Sequence, residues 1–237
     1  MEKVSISKMK FIKSLHLKKH RDEEKLFIIE GLKCVEETKI HSSIYIKDIY
    51  ISNKEFLETF PESILISNKE MDKISTQKTP SGILAICSTE IQIKTKSKLT
   101  LLLDQIRDPG NLGTIIRTAA WFGIDHILCS KDSVDCFNPK VIQSSMGSIF
   151  QVKIEYCDLH LIKKNKPIYG AYMNSTPYFT QKIEKECYLL MGGESNGITQ
   201  ELEHLIDYKI SIPKIGIGES LNLSVATGIL LNYFTLK

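Results

Sequence analysis

Short apolar runs alternate with helix-type patterns along nearly the whole chain. The first third has β-type runs at residues 25–31, 48–52, 63–67 and 83–88, each followed or preceded by a helical pattern. Residues 99–106 are almost continuously apolar, as expected of a strand whose two faces are covered by helices. Strands that alternate with helices predict an α/β fold, with a parallel sheet in the C-terminal part.

Capping and stop signals place the helices between these strands. Asn111 is predicted to cap a helix that Gly123 ends, and Asn138 to cap one whose first residue is Pro139. Pro61 is predicted to stop a helix over residues 54–60. Further helices are predicted over residues 32–40, around 159–164, over 199–207 and, as the last element, within 218–234.

A polar stretch divides the chain. Residues 89–98 are rich in Lys and Thr and lack helical periodicity, which is typical of a linker. We therefore predict domains at 1–90 and 99–237, joined by a linker at 91–98. A chain of 237 residues is long enough to form two apolar cores.

Composition narrows the setting of the protein. No apolar stretch approaches the length of a membrane span, and the Lys-rich N-terminus lacks the apolar block of a signal peptide. The six cysteines are scattered without a C-x-x-C pair, so we expect reduced thiols in a cytoplasmic protein. The positive charge concentrates in residues 8–21, which fits either a solvated helix face or a surface that tracks phosphates.

Gly, Asn, Glu, Ser and Arg concentrate in three segments that follow predicted strands, where open α/β sheets bind ligands. The segments are "RDPGNLGTIIRTA", "LLMGGESNGIT" and "ISIPKIGIGESLNLSVA". They contain neither G-x-G-x-x-G nor a phosphate-binding loop, and Ser220 lacks the setting of a nucleophile elbow. Metal-ligand spacing is absent from the sequence, and Glu194 has no second carboxylate for glycosidase-type chemistry.

Two features of these segments remain open from spacing alone. Arg117 falls beside the apolar stripe of its predicted helix, so it is either a surface residue or a group that contacts a phosphate or hydroxyl. Ser220 and Asn222 precede the last helix, where they could cap the helix or face a substrate.

Taken in order, the three segments resemble the motifs of the SpoU/TrmH family of SPOUT RNA methyltransferases. Asn111 and Arg117 match the first motif, "GGESNG" matches the second, and Ile212 through Ala226 match the third. Residues 11–37 and 79–86 also resemble the small ribosomal-protein-like α/β domain that binds RNA in many members of this family.

This resemblance implies methyl transfer from S-adenosylmethionine to a ribose 2′-hydroxyl of RNA, with ribosomal RNA as the favoured substrate. The alternatives are a transfer-RNA 2′-O-methyltransferase and a non-catalytic RNA-binding homologue. It also implies a trefoil knot in the C-terminal domain, a homodimer, and neither a metal nor a membrane partner.

The resemblance further assigns roles to individual residues. The implied catalytic set is Arg117, Ser220 and Asn222, supported by Asn111 and Glu194. The implied cofactor-binding residues are Gly192, Gly193, Gly197, Ile212 and Leu221. Because a free guanidinium stays protonated, we expect Arg117 to hold a substrate phosphate and polarise the hydroxyl rather than act as a base.

Overall fold

The computed structural model describes residues 4–236, which fall into two compact units. Unit one comprises the chain through Gln92 together with Asp135–Phe150, and unit two comprises Ile93–Val134 and the chain from Gln151 onward. The predicted limits placed residues 135–150 in the C-terminal domain, whereas their contacts place them in unit one.

Ten strands and seven α-helices make up the described part of the chain. The strands are β1 (Leu26–Glu30), β2 (Ile46–Ile51), β3 (Ile64–Leu65), β4 (Ile83–Ser88), β5 (Leu99–Asp104), β6 (His126–Ser130), β7 (Lys153–Cys157), β8 (Ile168–Pro177), β9 (Cys187–Gly192) and β10 (Tyr208–Ser211). The helices are α1 (Ile6–Ser14), α2 (Lys18–Glu24), α3 (Leu32–Ser42), α4 (Asn68–Ile74), α5 (Pro109–Trp121), α6 (Pro139–Ser145) and α7 (Leu223–Thr235).

Unit one contains a mixed sheet in the order β1-β4-β2-β3. Strand β4 is antiparallel to β1 and β2, and only the short β3 runs parallel to its neighbour. Apolar side chains of α1 and α4 pack on one face of this sheet. This core contains Ile12, Leu15, Ile28, Tyr50, Ile66, Met71, Ile74, Leu84 and Ile86.

Aromatic packing explains why residues 135–150 belong to unit one. The Phe27 ring of β1 lies 4.7 Å from the Phe137 ring and 5.9 Å from the Phe150 ring, measured between centroids. Phe150 also stacks on Tyr45 at 5.6 Å. Aromatic pairs at these distances stabilise a core beyond their buried area. Sequence periodicity does not reveal such long-range contacts, so the prediction missed them.

Several basic side chains of the segment 8–21 are buried or form ion pairs within unit one. Arg21 is only 3% exposed, so it is a core residue and not a surface charge. Lys8, Lys18 and Lys19 each form an ion pair with an acidic side chain. Neither of the two interpretations, a solvated helix face or a surface that tracks phosphates, therefore applies to the buried Arg21.

Unit two contains a six-stranded sheet in the order β10-β8-β9-β5-β6-β7, and every neighbouring pair is parallel. This confirms the predicted parallel sheet. Strand order reverses at β5 and β9, since the chain leaves β5 toward β6 and returns through β8 and β9 on the other side. In open α/β sheets, the carboxyl edge at such a reversal is where ligands bind.

Four local predictions need correction. Three of the predicted helices, at 54–60, 159–164 and 199–207, are short 3₁₀ turns. The turns span Lys54–Leu57, Leu159–Leu161 and Gln200–Leu205. Such short segments gain too few hydrogen bonds to offset helix nucleation.

The fourth correction concerns a helix cap, since Asn111 is not the cap of α5. Asp108 is the cap, since its carboxylate accepts the N–H of Asn111 at 2.8 Å and Pro109 fits the first helical position. The predicted cap at Asn138 is confirmed.

Among residues 4–236, no helix combines the length and the apolar character needed to cross a bilayer. Five of the six cysteines are buried, and only Cys157 is partly exposed.

Candidate active site

A small pocket lies at the carboxyl ends of β5 and β9, where the strand order reverses. It has a volume of about 60 Å³. The loop after β5 contributes Gln105 through Asp108, the loop after β9 contributes Gly193 through Gly197, and α7 contributes Leu223. The first and second sequence motifs and the start of the last helix therefore meet at one place.

The loop after β9 requires glycine for steric reasons. A Cβ on Gly192 would lie 2.1 Å from the carbonyl carbon of Gly197 and from the nitrogen of Ile198. A Cβ on Gly193 would lie 2.7 Å from the carbonyl oxygen of Gln105. Gly197 has a φ of +64° and donates its N–H to the Gly193 oxygen at 2.9 Å, which closes the turn. The predicted cofactor glycines thus form one tight backbone loop.

Asp104 fixes this loop, and the sequence predictions did not single it out. It ends β5, is buried, and accepts the N–H of Thr199 at 2.8 Å through Oδ2. The next residue, Gln105, takes a φ of +54° and donates its N–H to the Ser130 hydroxyl at 2.8 Å. A carboxylate that ends a largely apolar, buried strand was the available signal, because a buried carboxylate needs hydrogen-bond partners.

The first and third motifs are joined directly by a hydrogen bond. Asn222 Nδ2 donates to Asn111 Oδ1 at 3.0 Å. Asn111 is buried in the first turn of α5, and Asn222 immediately precedes α7. Positions 111 residues apart in sequence are therefore held at hydrogen-bond distance, as the resemblance implies for residues of one site.

Asn222 also caps α7. Its Oδ1 accepts the N–H of Ser224 at 2.9 Å and that of Val225 at 3.3 Å. Of the two functions that the sequence left open for Asn222, capping is confirmed: its oxygen accepts the helix N–H groups while its nitrogen donates to Asn111. Ser220 is not the cap.

Arg117 lies apart from this cluster. It follows Asn111 by six positions, which places it about 120° around the helix axis. Arg117 is exposed, on the same side of α5 as the exposed Thr114 and Trp121. No hydrogen bond or ion pair joins Arg117 to Asn111, Glu194, Ser220 or Asn222 in the structure as described for residues 4–236.

The segment that carries the rest of the third motif is open to solvent. Residues 213–222 are all exposed, including Ser220 and Leu221, while Ile212 is partly buried. Glu194 is exposed at the pocket rim. The structure thus joins Asn111 to Asn222, and it places Glu194, the glycine loop and Leu223, the residue after Asn222, around one pocket that Arg117 and Ser220 do not line.

Among the described residues, no cluster of three or more His, Cys, Asp or Glu side chains is arranged to hold a metal ion. The polar side chains that line the pocket are the amides of Gln105 and Asn196, the Ser195 hydroxyl, the Arg107 guanidinium and the carboxyls of Asp108 and Glu194. Such groups orient reactants and polarise hydroxyls, which suits a transfer reaction that needs alignment more than bond activation.

Family models match both parts of the chain. The model described as the SpoU rRNA Methylase family matches residues 98–232, and the model described as the MRM3-like substrate binding domain matches residues 7–85. The first match contains all ten predicted site residues.

Full-length relatives and solved structures agree with these matches. The chain is 32% identical to the 23S rRNA (guanosine(2553)-2′-O)-methyltransferase RlmP of Bacillus subtilis, over 98% of this chain and 97% of that protein. It is similar to the structure of an RNA methyltransferase of the TrmH family from Porphyromonas gingivalis, with a TM-score of 0.85, 31% identity and 98% coverage of both chains. It also resembles the AdoMet-bound rRNA methyltransferase from Sinorhizobium meliloti, with a TM-score of 0.81, 28% identity and coverage of 98% and 95%.

Proposed function

Because the chain belongs to the SpoU rRNA methylase family, we propose that it methylates a ribose 2′-hydroxyl of ribosomal RNA with S-adenosylmethionine as the methyl donor. The hydrogen bond between Asn111 and Asn222 carries this proposal. It links the first and third motifs, and Leu223, the residue after Asn222, lines the same pocket as Gly193 and Gly197 of the second motif, which supports a single site.

The residues at the pocket fit the proposed cofactor. Gly192 and Gly193 have no side chain that could block the backbone, and the amides and carbonyls of this loop are groups that a nucleoside and an amino-acid moiety can bind. The pocket of about 60 Å³ is smaller than the 300–1,000 Å³ that is usual for such ligands. Ile212 and Leu221, at the two ends of the segment that leads from β10 to Leu223, would hold the part of the cofactor that the pocket does not accommodate.

When bound, S-adenosylmethionine supplies a methyl group on a sulfonium, which is a good leaving group. The protein has to orient the 2′-hydroxyl and favour loss of its proton. We assign Asn222 and Ser220 to position the ribose, with Asn111 holding the Asn222 amide and Glu194 supporting the rim. Arg117 binds the adjacent phosphate and polarises the hydroxyl, since its guanidinium is a fixed cation with several donors.

We further propose that the protein acts as a homodimer in the cytoplasm. Arg117 shares its exposed helix face with Trp121, whose side chain is 85% exposed, and a large exposed aromatic ring is typical of an interaction surface. If a second subunit packs on this face, the Arg117 of one subunit can contact the substrate that is bound at the Asn111–Asn222 pair of the other. A solution mass equal to that of a monomer under assay conditions would contradict the dimer.

The substrate we propose is a 23S rRNA guanosine ribose, as stated in the name of the Bacillus subtilis relative. The matching substrate-binding domain in residues 7–85 supports a large structured RNA. Methylation of a transfer RNA instead would correct the substrate but retain the chemistry.

Two measurements test the proposal. Ribose-methylation mapping of total RNA, from cells with and without the gene, should show one 23S position that loses its methyl group. Calorimetric titration of the purified protein with S-adenosylmethionine should show saturable binding. Absence of binding together with an unchanged methylation map would favour a non-catalytic RNA-binding protein.

A further inference from the structure

Unit one contains a cleft that is ten times larger than the pocket in unit two. It has a volume of about 580 Å³, which is within the range of sites for nucleotide-sized ligands. Nine residues line it: His16, Thr76, Gln77, Lys78, Thr79, Asn138, Pro139, Lys140 and Gln143. No aspartate or glutamate is among these nine, although a quarter of the chain is charged.

The lining has the chemistry that binds nucleotides. Lys78 and Lys140 offer cationic groups for phosphate oxygens, and both residues are exposed. The amides of Gln77 and Gln143 each offer a donor and an acceptor, the pattern that reads the edge of an unpaired base. A cleft with cations, amides and hydroxyls but no carboxylate favours a polyanion over a cationic or uncharged ligand.

The wall that contains residues 76–79 is held by a buried carboxylate. Glu30 ends β1 and is only 7% exposed. Its Oε2 accepts the N–H of Thr76 at 2.9 Å and the Thr76 hydroxyl at 2.8 Å, while its Oε1 accepts the hydroxyl of Ser75. This loop is therefore fixed before any ligand binds.

The other two walls are joined by one buried ion pair. The Nη1 atom of Arg21 donates to the carbonyl oxygens of Leu15 and His16 at 3.0 and 2.8 Å, which holds the wall that contains His16. Its Nη2 atom donates to Asp135 Oδ2 at 2.6 Å.

Asp135 in turn orients the third wall. Its Oδ1 accepts the N–H of Phe137, and its carbonyl oxygen accepts the N–H of Asn138 at 3.0 Å. The wall formed by residues 138–143 belongs to the inserted segment 135–150, so the cleft exists only because that segment folds into unit one.

We propose that this cleft binds an unpaired nucleotide of the substrate RNA, with Lys78 and Lys140 on its phosphates and Gln77 and Gln143 on its base. The inference rests on the proposed function for the identity of the RNA, but its site lies in unit one. A preformed cleft lowers the entropy cost of ordering on binding. Because the cleft lies in unit one and the candidate active site in unit two, the cleft anchors the RNA by a nucleotide other than the one that is methylated.

Photo-crosslinking tests the location directly. In vitro-transcribed 23S rRNA carrying 4-thiouridine should crosslink to residues 76–79 or 138–143 of the full-length protein. Crosslinks confined to other parts of unit one would overturn the proposal.

Charge removal tests the role of the lysines. The double variant Lys78→Gln/Lys140→Gln should bind the same RNA at least tenfold more weakly. Its plot of log affinity against log salt should be shallower by about 0.7 for each lost single-strand phosphate contact. Lys54→Gln/Lys69→Gln is the matched control, since both lysines are exposed in unit one and neither lines the cleft. Equal affinities and slopes for the two double variants would refute the site.

Base reading is tested by Gln77→Ala/Gln143→Ala, which should change the preference among single-stranded oligonucleotides that differ in one base while leaving the salt slope unchanged. Free nucleoside monophosphates should bind far more weakly than RNA if the ligand is part of a strand. If poly-glutamate binds the wild type but not the lysine double variant, and RNA affinity is unchanged in that variant, the cleft is a protein-docking site and the proposal is wrong.

These outcomes separate the cleft from the proposed function. Wild-type protein that binds RNA through the cleft without methylating any RNA would overturn the function alone. Methylation of 23S rRNA with an unchanged KM for RNA in the lysine double variant would overturn the cleft alone. The lysine variant should retain its kcat and its affinity for S-adenosylmethionine.

Discussion

The cleft of unit one and the pocket of unit two are both supported by a buried carboxylate at the end of a strand, but more of the surrounding backbone is held by hydrogen bonds in unit one. In each unit a buried carboxylate ends a strand and accepts a backbone N–H from a distant loop: Glu30 from Thr76, and Asp104 from Thr199. In unit one the two other walls of the cleft are held as well, by Arg21 and by its ion-pair partner Asp135. In unit two hydrogen bonds hold the glycine loop, the loop after β5 and the Asn111–Asn222 pair, whereas residues 213–222 are exposed.

The third motif shows the difference most clearly. Ile215 and Ile217 are fully exposed, at 101% and 102% of the reference area, in the segment between β10 and α7. Covering such apolar side chains with a ligand or a second subunit lowers the free energy, because it removes apolar surface from water. The walls of the cleft in unit one are therefore held by hydrogen bonds within the unit, whereas the third-motif segment of unit two is exposed along residues 213–222.

The largest effect is expected from Gly192→Ala. The new Cβ would overlap the backbone of Gly197 and Ile198, which no side-chain movement can relieve. We expect destabilisation of about 3 kcal/mol and loss of cofactor binding, measured by thermal unfolding and calorimetry. Gly216→Ala is the control, since nothing lies within 4 Å of its Cβ and it should melt like the wild type. Equal melting of the two variants would mean that the glycine loop is not fixed.

Arg117→Ala should lower kcat by roughly 100-fold or more, because the variant loses a cation that stabilises developing charge. Its affinity for S-adenosylmethionine should stay unchanged, since Arg117 does not line the pocket. Thr114→Ala, on the same exposed face, is the control for disturbance of the helix surface. Full methylation by folded Arg117→Ala would remove this residue from the site.

The two buried carboxylates give a crossed test. Glu30→Gln and Asp104→Asn should each destabilise by about 2 kcal/mol, because each disturbs hydrogen bonds to a buried charged group. Glu30→Gln should weaken RNA binding and spare cofactor binding, and Asp104→Asn should do the reverse. If both variants weakened both ligands equally, the two sites would not be independently supported.

Asn222 allows capping to be separated from the bond to Asn111. Asn222→Ala should lose about 1 kcal/mol of stability with the cap, whereas Asn222→Ser should keep most of it, since serine is a good cap. Both variants should lose methyl transfer, because alanine has no donor and the shorter serine side chain has no amide nitrogen to replace the one that donates to Asn111. Retained activity in Asn222→Ser would show that only the cap matters.

The smallest effect concerns pH and unit two. Burial raises the pKa of the Asp125 carboxyl, but hydrogen bonds from the Ser97 hydroxyl and the N–H groups of Lys96 and Ser97 outweigh burial and hold that pKa below its ordinary value. A lowered pKa in the folded state stabilises the protein above the unfolded-state pKa of about 3.9, and this stabilisation is lost as the pH falls through the folded-state pKa.

The melting temperature of Asp125→Asn should therefore lie below that of the wild type by a constant amount above about pH 5. The difference should shrink below about pH 4. Thermal melts between pH 3 and 7 measure it, and a difference independent of pH would show that the charge of Asp125 is not what stabilises residues 96–97.

Local pattern was enough to predict most strands of both units and the parallel sheet of unit two. The apolar run at 99–106 predicted β5, and Asn138 with Pro139 predicted the start of α6. These succeed because strand burial and helix capping depend on residues that are near in sequence. The cap of α5 was misassigned to Asn111 because Asp108 and Asn111 are both good capping residues, and only Pro109 between them decides the first helical position.

The sequence by itself determined which residues are candidates for the site, since three motifs in the right order predicted them without any geometry. Only the tertiary structure decided which of them meet: Asn111 binds Asn222, whereas Arg117 lies on an exposed face. It alone also assigned residues 135–150 to unit one, through Arg21–Asp135 and the rings around Phe27. The physical reason is that such contacts join positions about 110 residues apart, and no local periodicity records a partner at that distance.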